Sequence, residues 1–339
     1  MTGPAHDQSA AETAAILDSC RSELARRIVG QAEMVNGLLT ALIAGGHILL
    51  EGVPGLAKTL AVKSLAAITG LLFKRIQFTP DLLPADLTGT LVWEQASGAF
   101  SVRRGPVFAN LILADELNRA PAKVQSALLE AMEEKQVTIG EATYPLPSPF
   151  FVLATQNPIE HEGTYTLPEA ELDRFLMKIL IRYPSIEEEI QIVRRAASPD
   201  GPAPAPLSAV LKPETLAVLR AAASSVFVDA RLAAYMVSIA AASRPLAPGP
   251  GADTMEKAAR EGLYRYIAFG ASPRASIALY RCARIRALFE GRSFVTPEDV
   301  KTAAPPVLRH RIVLSYEAEA DGLDQDAVIS RLLSFVPIP

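Results

Sequence analysis

Residues 52–59 read GVPGLAKT, and the rest of the fold turns on what this octapeptide is. It follows a short apolar run, HILLE at 47–51, which predicts a buried strand, and it precedes a helical pattern. Strand, glycine-bearing turn, then lysine and a hydroxyl at a helix start is the context of a phosphate-cradling loop. Gly52 and Gly55 would let the backbone wrap an anion, with successive N–H groups pointing inward and the helix N-terminus adding positive potential. Lys58 would reach the β- and γ-phosphates, and Thr59 would place its hydroxyl on Mg²⁺. One position departs from the strict pattern G-x-x-x-x-G-K-[ST]: Ala57 stands where its second glycine belongs. The competing reading is an ordinary helix start that contains a lysine.

Outward from this loop, LFKRIQF (72–78), LILAD (111–115), FFVLATQ (150–156) and MKILIRY (177–183) predict four more strands. Helical patterns separate most of them, PAKVQSALLEAMEEK at 121–135 being the clearest, and residues 10–27 and 31–44 read as two helices ahead of the first strand. Strands alternating with helices predict an α/β fold with a parallel sheet covered on both faces. Two stretches break the rhythm: 91–105, around Ser97-Gly98, and 136–146, around Gly140, alternate apolar and polar residues and predict β-hairpins. They are either surface decoration or working loops. After Tyr183 comes SPDGPAPAP at 198–206, a proline-rich linker, and from Leu207 onward the patterns are helical with little strand. TPED at 296–299 is a capping-box start, with Thr296 as N-cap and Asp299 in place of the usual glutamate.

Composition bounds the function. The 339 residues suffice for two domains, half of them are hydrophobic and 21% charged, and the net charge is −4. With a pI near 5.7 nothing marks a chain built to coat nucleic acid or an anionic membrane. Cys20 and Cys282 offer neither metal spacing nor a disulfide framework. No basic start followed by an apolar run begins the chain, and no stretch reads as a membrane span, so a cytoplasmic protein is expected.

Four more stretches carry chemistry. NLILADELNRA (110–120) is a buried strand that delivers Asp115 and Glu116 at its carboxyl end, where ligands bind in open α/β sheets. Asp115 would help hold Mg²⁺, and Glu116 would polarise an attacking water as general base. In FVLATQNP (151–158) the strand ends in polar residues, and Asn157 could orient that water; in isolation an Asn-Pro turn is the better reading. In GASPRAS (270–276) Arg274 falls in the first turn of a helix, where a cation opposes the helix dipole unless an anion is near. Asp173 and Arg174 in LPEAELDRFLMK (167–178) precede a strand, and a simple surface ion pair remains open for them.

The order GVPGLAKT, LILADE, ATQNP, LDRF and GASPRA resembles an AAA+ ATPase, specifically the MoxR family of the helix-2-insert clade, from about Ile28 to Pro339. The resemblance implies a P-loop αβα sandwich followed by an all-helical lid. Its domains would be an N-terminal helix (1–27), the nucleotide-binding core (28–183), a linker (184–206) and the lid (207–339), with the insert hairpin at about 81–105 and a pre-sensor-1 hairpin at 136–146. It implies ATP or ADP with Mg²⁺ as ligands, and Gly52, Val53, Pro54, Gly55, Leu56, Ala57, Lys58, Thr59 and Leu60 as the Walker A segment, in which alanine before the lysine is usual for the family. Asp115 and Glu116 become Walker B, Asn157 sensor 1, Arg174 the finger that acts on a neighbour's nucleotide, and Arg274 the sensor-2 arginine. Val29 and Gly30 match the adenine-pocket segment, and Gln77 the polar residue that restrains the catalytic glutamate. It further implies a hexameric ring, pore-facing hairpins, and chaperone-like remodelling or cofactor insertion alongside a von Willebrand factor A domain protein and a client. The competing readings are a metal-chelatase motor, a DNA-remodelling ring, for which Arg103 and Arg104 could line a basic pore, and a nucleotide-gated scaffold.

Overall fold

The computed structural model describes residues 4–53, 55–158, 165–196, 205–244 and 262–339. Pro54 and residues 198–204 of the proline-rich linker lie outside them. The contacts divide the chain into two compact units, one of Asp18–Leu167 with Ile179–Leu216, the other of Met1–Leu17, Pro168–Lys178 and Ala217–Pro339.

The first unit is built on a five-stranded sheet. Its strands are β1 (Ile48–Glu51), β2 (Phe73–Gln77), β5 (Leu111–Asp115), β8 (Phe151–Gln156) and β9 (Met177–Leu180), in spatial order β2-β5-β8-β1-β9. β2 with β5, β5 with β8 and β8 with β1 pair in parallel. The inner strands are near-continuous apolar runs because both sheet faces are covered: Leu111 through Ala114 and Phe151 through Ala154 are all buried. β2 is one of the two edge strands, and its Lys74, Arg75 and Gln77 are exposed.

Local chemistry sets the entry into β1. The helix Ala32–Ala44 stops because Gly45 turns left-handed at φ 66°, and the Gly46 N–H reaches back to Ala41 O at 3.0 Å. That cap aims His47 and the strand into the core. His47 is 5% exposed, accepts the Val152 N–H on Nδ1 at 3.0 Å, and has Nε2 3.2 Å from Met132 O. The geometry therefore fixes the neutral Nε2–H tautomer.

The two hairpins form as the alternation predicts. β3 (Gly89–Glu94) pairs with β4 (Ala99–Arg104), and β6 (Gln136–Ile139) with β7 (Ala142–Pro145), both antiparallel. Within the stretch 184–206 read as a linker, Ile186–Ala196 is a helix. Its apolar residues Ile186, Ile190 and Val193 recur at helical spacing among glutamates and arginines, and all three are exposed, so the charged composition concealed the period.

Among the described residues the second unit is mainly helical and holds one short antiparallel pair, β10 (Ile267–Phe269) with β11 (Val313–Leu314). The helices Pro273–Phe289, Pro297–Leu308 and Ala230–Ala242 pack together over Leu279, Cys282, Ile239, Val300 and Val307. The capping box at 296–299 forms: Asp299 Oδ2 accepts the Thr296 N–H at 2.8 Å, and both Asp299 oxygens pair with Arg292 at 2.7 Å. Both cysteines are free and buried, and burial pushes the Cys20 thiol up to about 11. Among the described residues no helix is long and apolar enough to cross a membrane.

Burial lowers the His47 pKa from 6.5 to about 4, so the unfolded chain binds this proton more readily than the native state. The sign follows: stability is full above pH 6.5 and falls as pH drops towards about 4, by up to about 3 kcal/mol from this group. Urea unfolding followed between pH 7.5 and about pH 5 checks this, with His47→Gln expected to flatten the decline while lowering stability at neutral pH.

Candidate nucleotide site

The parallel register brings the carboxyl ends of β1, β2, β5 and β8 to one edge of the sheet. There Gly55, Ala57, Lys58, Thr59 and Leu60 line a cavity of about 390 Å³ together with Asp115, Glu116, Asn157 and Arg75. The loop leaves β1 at Gly52, whose N–H donates to Gln156 O at 3.3 Å and whose Cα lies against Ile181, where a Cβ would come within 2.9 Å. The helix Lys58–Thr69 then begins, with Ala57 as its N-cap at φ 58°, ψ 16°. The left-handed backbone explains why the strict pattern uses glycine here: an L-residue in this region costs about 1–2 kcal/mol, least for a small side chain. Lys58 folds back over the loop and its Nζ donates to Gly52 O at 2.6 Å.

Asp115 and Glu116 sit in a cross-strand hydrogen-bond frame. The Thr155 hydroxyl donates to Asp115 Oδ1 at 2.7 Å and accepts the Glu116 N–H at 2.8 Å. Glu116 is itself left-handed, φ 57°, which turns its side chain out of the strand direction. Its Oε2 accepts from Gln77 Nε2 at 2.7 Å and lies 3.4 Å from Arg119 Nε. Arg75 completes the frame: its guanidinium donates to Asp115 Oδ2 at 3.0 and 2.6 Å and to Gln77 Oε1 at 2.6 Å. Asn157, 6% exposed, follows β8 and lines the same cavity.

Four further sequence candidates stand on other elements. Val29 and Gly30 are not in the cavity lining; they precede the helix Ala32–Ala44, where Gln31 Nε2 donates to Arg182 O at 2.9 Å and a Cβ on Gly30 would collide with the Glu188 carboxylate. Arg174 and Arg274 belong to the helical unit, Arg174 just after the short helix Glu169–Leu172 and Arg274 in the first turn of Pro273–Phe289. Sequence reasoning missed Arg75 and the double role of Thr155. The signal for Arg75 was present: it stands two residues before Gln77, on the same side of the strand.

The residues fit Mg²⁺. Thr59 and Asp115 supply hard oxygen donors in one cavity, and a magnesium ion is typically held by one or two carboxylates plus phosphate oxygens rather than by a protein-only cage. Among the described residues no group of three or more His, Cys, Asp or Glu converges as such a cage.

Comparison with known proteins agrees with this geometry. Residues 47–177 match the family described as ATPase family associated with various cellular activities (AAA), and residues 264–332 match the AAA lid domain. Chaperone MoxR1 of Mycobacterium tuberculosis is 49% identical over 317 residues, which is 94% of this chain and 81% of that protein. The chain belongs to the MoxR family of AAA+ ATPases. Protein MoxR of Methylorubrum extorquens is 31% identical over 94% of this chain and 93% of its own length. A crystal structure of a candidate ATPase from Cytophaga hutchinsonii superposes with a TM-score of 0.87 at 46% identity, covering 98% of this chain and 97% of that one. The αβα core with a helical lid is thus the MoxR-family AAA+ architecture.

The left-handed Ala57 yields a test. Ala57→Gly relieves the methyl's conflict while adding unfolded-state entropy of about 0.4–1 kcal/mol, so melting temperature and affinity for a fluorescent ATP analogue should both stay near the parent's. Ala57→Val, β-branched at the same φ of 58°, should lose nucleotide binding by about tenfold or more. Equal binding by the two variants would mean that the loop does not hold this conformation when nucleotide is bound.

Proposed function

We propose that this MoxR-family protein hydrolyses ATP with Mg²⁺ to remodel partner proteins in a chaperone-like manner. The observation that carries the reading is the convergence of Lys58, Thr59, Asp115, Glu116 and Asn157 on one cavity at the carboxyl edge of a parallel sheet. Lys58 and the loop N–H groups neutralise the β- and γ-phosphates, and Thr59 and Asp115 are the groups that would hold Mg²⁺. When bound, the ion neutralises charge on the β- and γ-phosphate oxygens. Glu116 accepts the proton of the water attacking the γ-phosphate, and Asn157 orients that water. The Gln77 bond to Glu116 Oε2 competes for the same oxygen, so it restrains the base until it is released.

Arg174 acts in this reading on the nucleotide of the adjacent subunit, and Arg274 senses the γ-phosphate of its own. A head-to-tail interface of this kind closes into a ring, a hexamer on the family resemblance. The hairpin β3–β4 exposes Leu91, Trp93 and Phe100, with Trp93 and Phe100 edge-to-face at 5.0 Å. Apolar groups held in solvent by a rigid hairpin suit contact with a client segment. A von Willebrand factor A domain protein is the expected partner, and insertion of a metal or cofactor into a client complex the expected outcome. The domains carrying these roles are those expected from the sequence: an N-terminal helix 1–27, a core 28–183, a linker 184–206 and a lid 207–339.

Glu116→Gln should keep ATP-analogue binding and lower hydrolysis about a hundredfold or more. If this variant stopped binding nucleotide, the general-base role would lose its support. Specific activity should rise with protein concentration and require Mg²⁺, and Arg174→Ala should lower it by about 10³-fold. A rate independent of concentration and of Arg174 would instead indicate a site complete within one subunit.

A further inference from the structure

The segment that carries Arg174 is held by the helical unit. Pro168–Lys178 clusters with Ala217–Pro339, and three consecutive residues, Arg309, His310 and Arg311, reach back to it. The Arg311 side chain is 3% exposed, and every guanidinium nitrogen is used. Nε donates to Asp173 Oδ1 at 2.7 Å, Nη1 to Leu176 O at 3.1 Å and Val307 O at 2.6 Å, and Nη2 to the Asp173 and Phe175 carbonyls. The His310 ring lies 3.0 Å from Phe175 O, and Arg309 Nη1 donates to Lys178 O at 3.3 Å. The backbone on both sides of Arg174 is thereby fixed, while the arginine itself is half-buried.

The same aspartate reaches the other arginine. Asp173 Oδ2 accepts the Ser272 hydroxyl at 2.6 Å, and Ser272 Oγ, as N-cap of Pro273–Phe289, accepts the Arg274 N–H at 3.0 Å. A cap needs only the second of these bonds. The first, a short charge-assisted one, makes Asp173 the junction of two hydrogen-bonded arms.

We propose that Asp173 is a positioning residue which, with Ser272 and Arg311, ties the finger Arg174 to the helix turn bearing Arg274, so that a subunit's own γ-phosphate sensor sets the finger it presents to its neighbour. This rests on the roles given to Arg174 and Arg274 above. Nucleotide state then passes round a ring through a chain of hydrogen bonds inside one unit.

Removing Arg311 or Asp173 would strand a largely buried charge and risk unfolding, so Ser272 is the position to change. Ser272→Ala leaves both arginines and the Asp173–Arg311 pair in place. At concentrations that saturate assembly, its kcat for ATP hydrolysis should fall about tenfold with KM within about threefold of the parent. Ser272→Thr, which retains the hydroxyl, should recover most of the loss. Mixing Ser272→Ala with Glu116→Gln subunits, which keep bound ATP, present an intact finger and hydrolyse little, should restore turnover at the Ser272→Ala sites; a merely structural defect would not respond to a neighbour. An unchanged kcat, or a loss that intact neighbours fail to repair, overturns the proposal. Arg174→Ala run in parallel separates the layers. Full turnover in Arg174→Ala removes the finger assignment and this inference with it, whereas lost turnover there beside parental turnover in Ser272→Ala removes only the coupling.

Discussion

Parallel registration of β2, β5, β8 and β1 is the constraint from which the site follows. Parallel strands emerge at the same edge, so each contributes its last residues to one place. Gln77 lies opposite Asp115, Glu51 opposite Gln156, and one step past Ala114 and Ala154 stand Asp115 and Thr155. A one-residue slip of β8 would turn Thr155 to the opposite face and leave the Glu116 N–H and one Asp115 oxygen without the hydroxyl that now serves both. That register is held by the buried faces of Leu111–Ala114 and Phe151–Ala154, so the apolar core fixes polar geometry that no local sequence preference could.

The helical unit solves a different problem, the placement of long, flexible cations. An arginine on an exposed loop has rotamer freedom that weakens any defined contact. Here the chain around Arg174 is clamped by side chains from 309–311, and the turn before Arg274 is pinned by Ser272. A buried guanidinium with all donors satisfied is a weak source of net stability but a strong source of geometric definition. Arg311 fits that description better than it fits a stabilising core residue, which a hydrophobic side chain would fill as well.

The inner strands were legible because full burial makes them short apolar runs, and LILAD at 111–115 coincides with β5. The hairpins were legible through Ser97-Gly98 and Gly140, since left-handed turn positions leave a mark in the sequence. The loop at 52–59, Asp115, Glu116 and Asn157 were legible as motifs, and the structure places members of all three motifs on one cavity. What stayed hidden is relational. Arg75 and Thr155 matter through strands far away in sequence, and Arg311 through a segment well over a hundred residues upstream. The helix Ile186–Ala196 escaped because its apolar stripe is exposed and set among charges, so composition outweighed period.

Two non-glycine residues hold left-handed backbone at the site, Ala57 at φ 58° and Glu116 at φ 57°. Each costs of order 1–2 kcal/mol and persists only where surrounding bonds over-determine it. For Ala57 those bonds belong to the loop and the helix it starts; for Glu116 they are the Thr155 bond to its N–H and the Gln77 and Arg119 contacts to its carboxylate. The two strained residues are therefore held differently. The Ala57 strain is set within one contiguous segment and is paired with its phosphate loop whatever happens elsewhere. The Glu116 strain depends on three residues from two strands and a following turn, one of which, Gln77, is itself engaged by Arg75. A change at Arg75 or Asp115 thus reaches Glu116 through Gln77 without touching the loop at 52–59, which, on the proposed function, would separate control of the base from retention of the nucleotide.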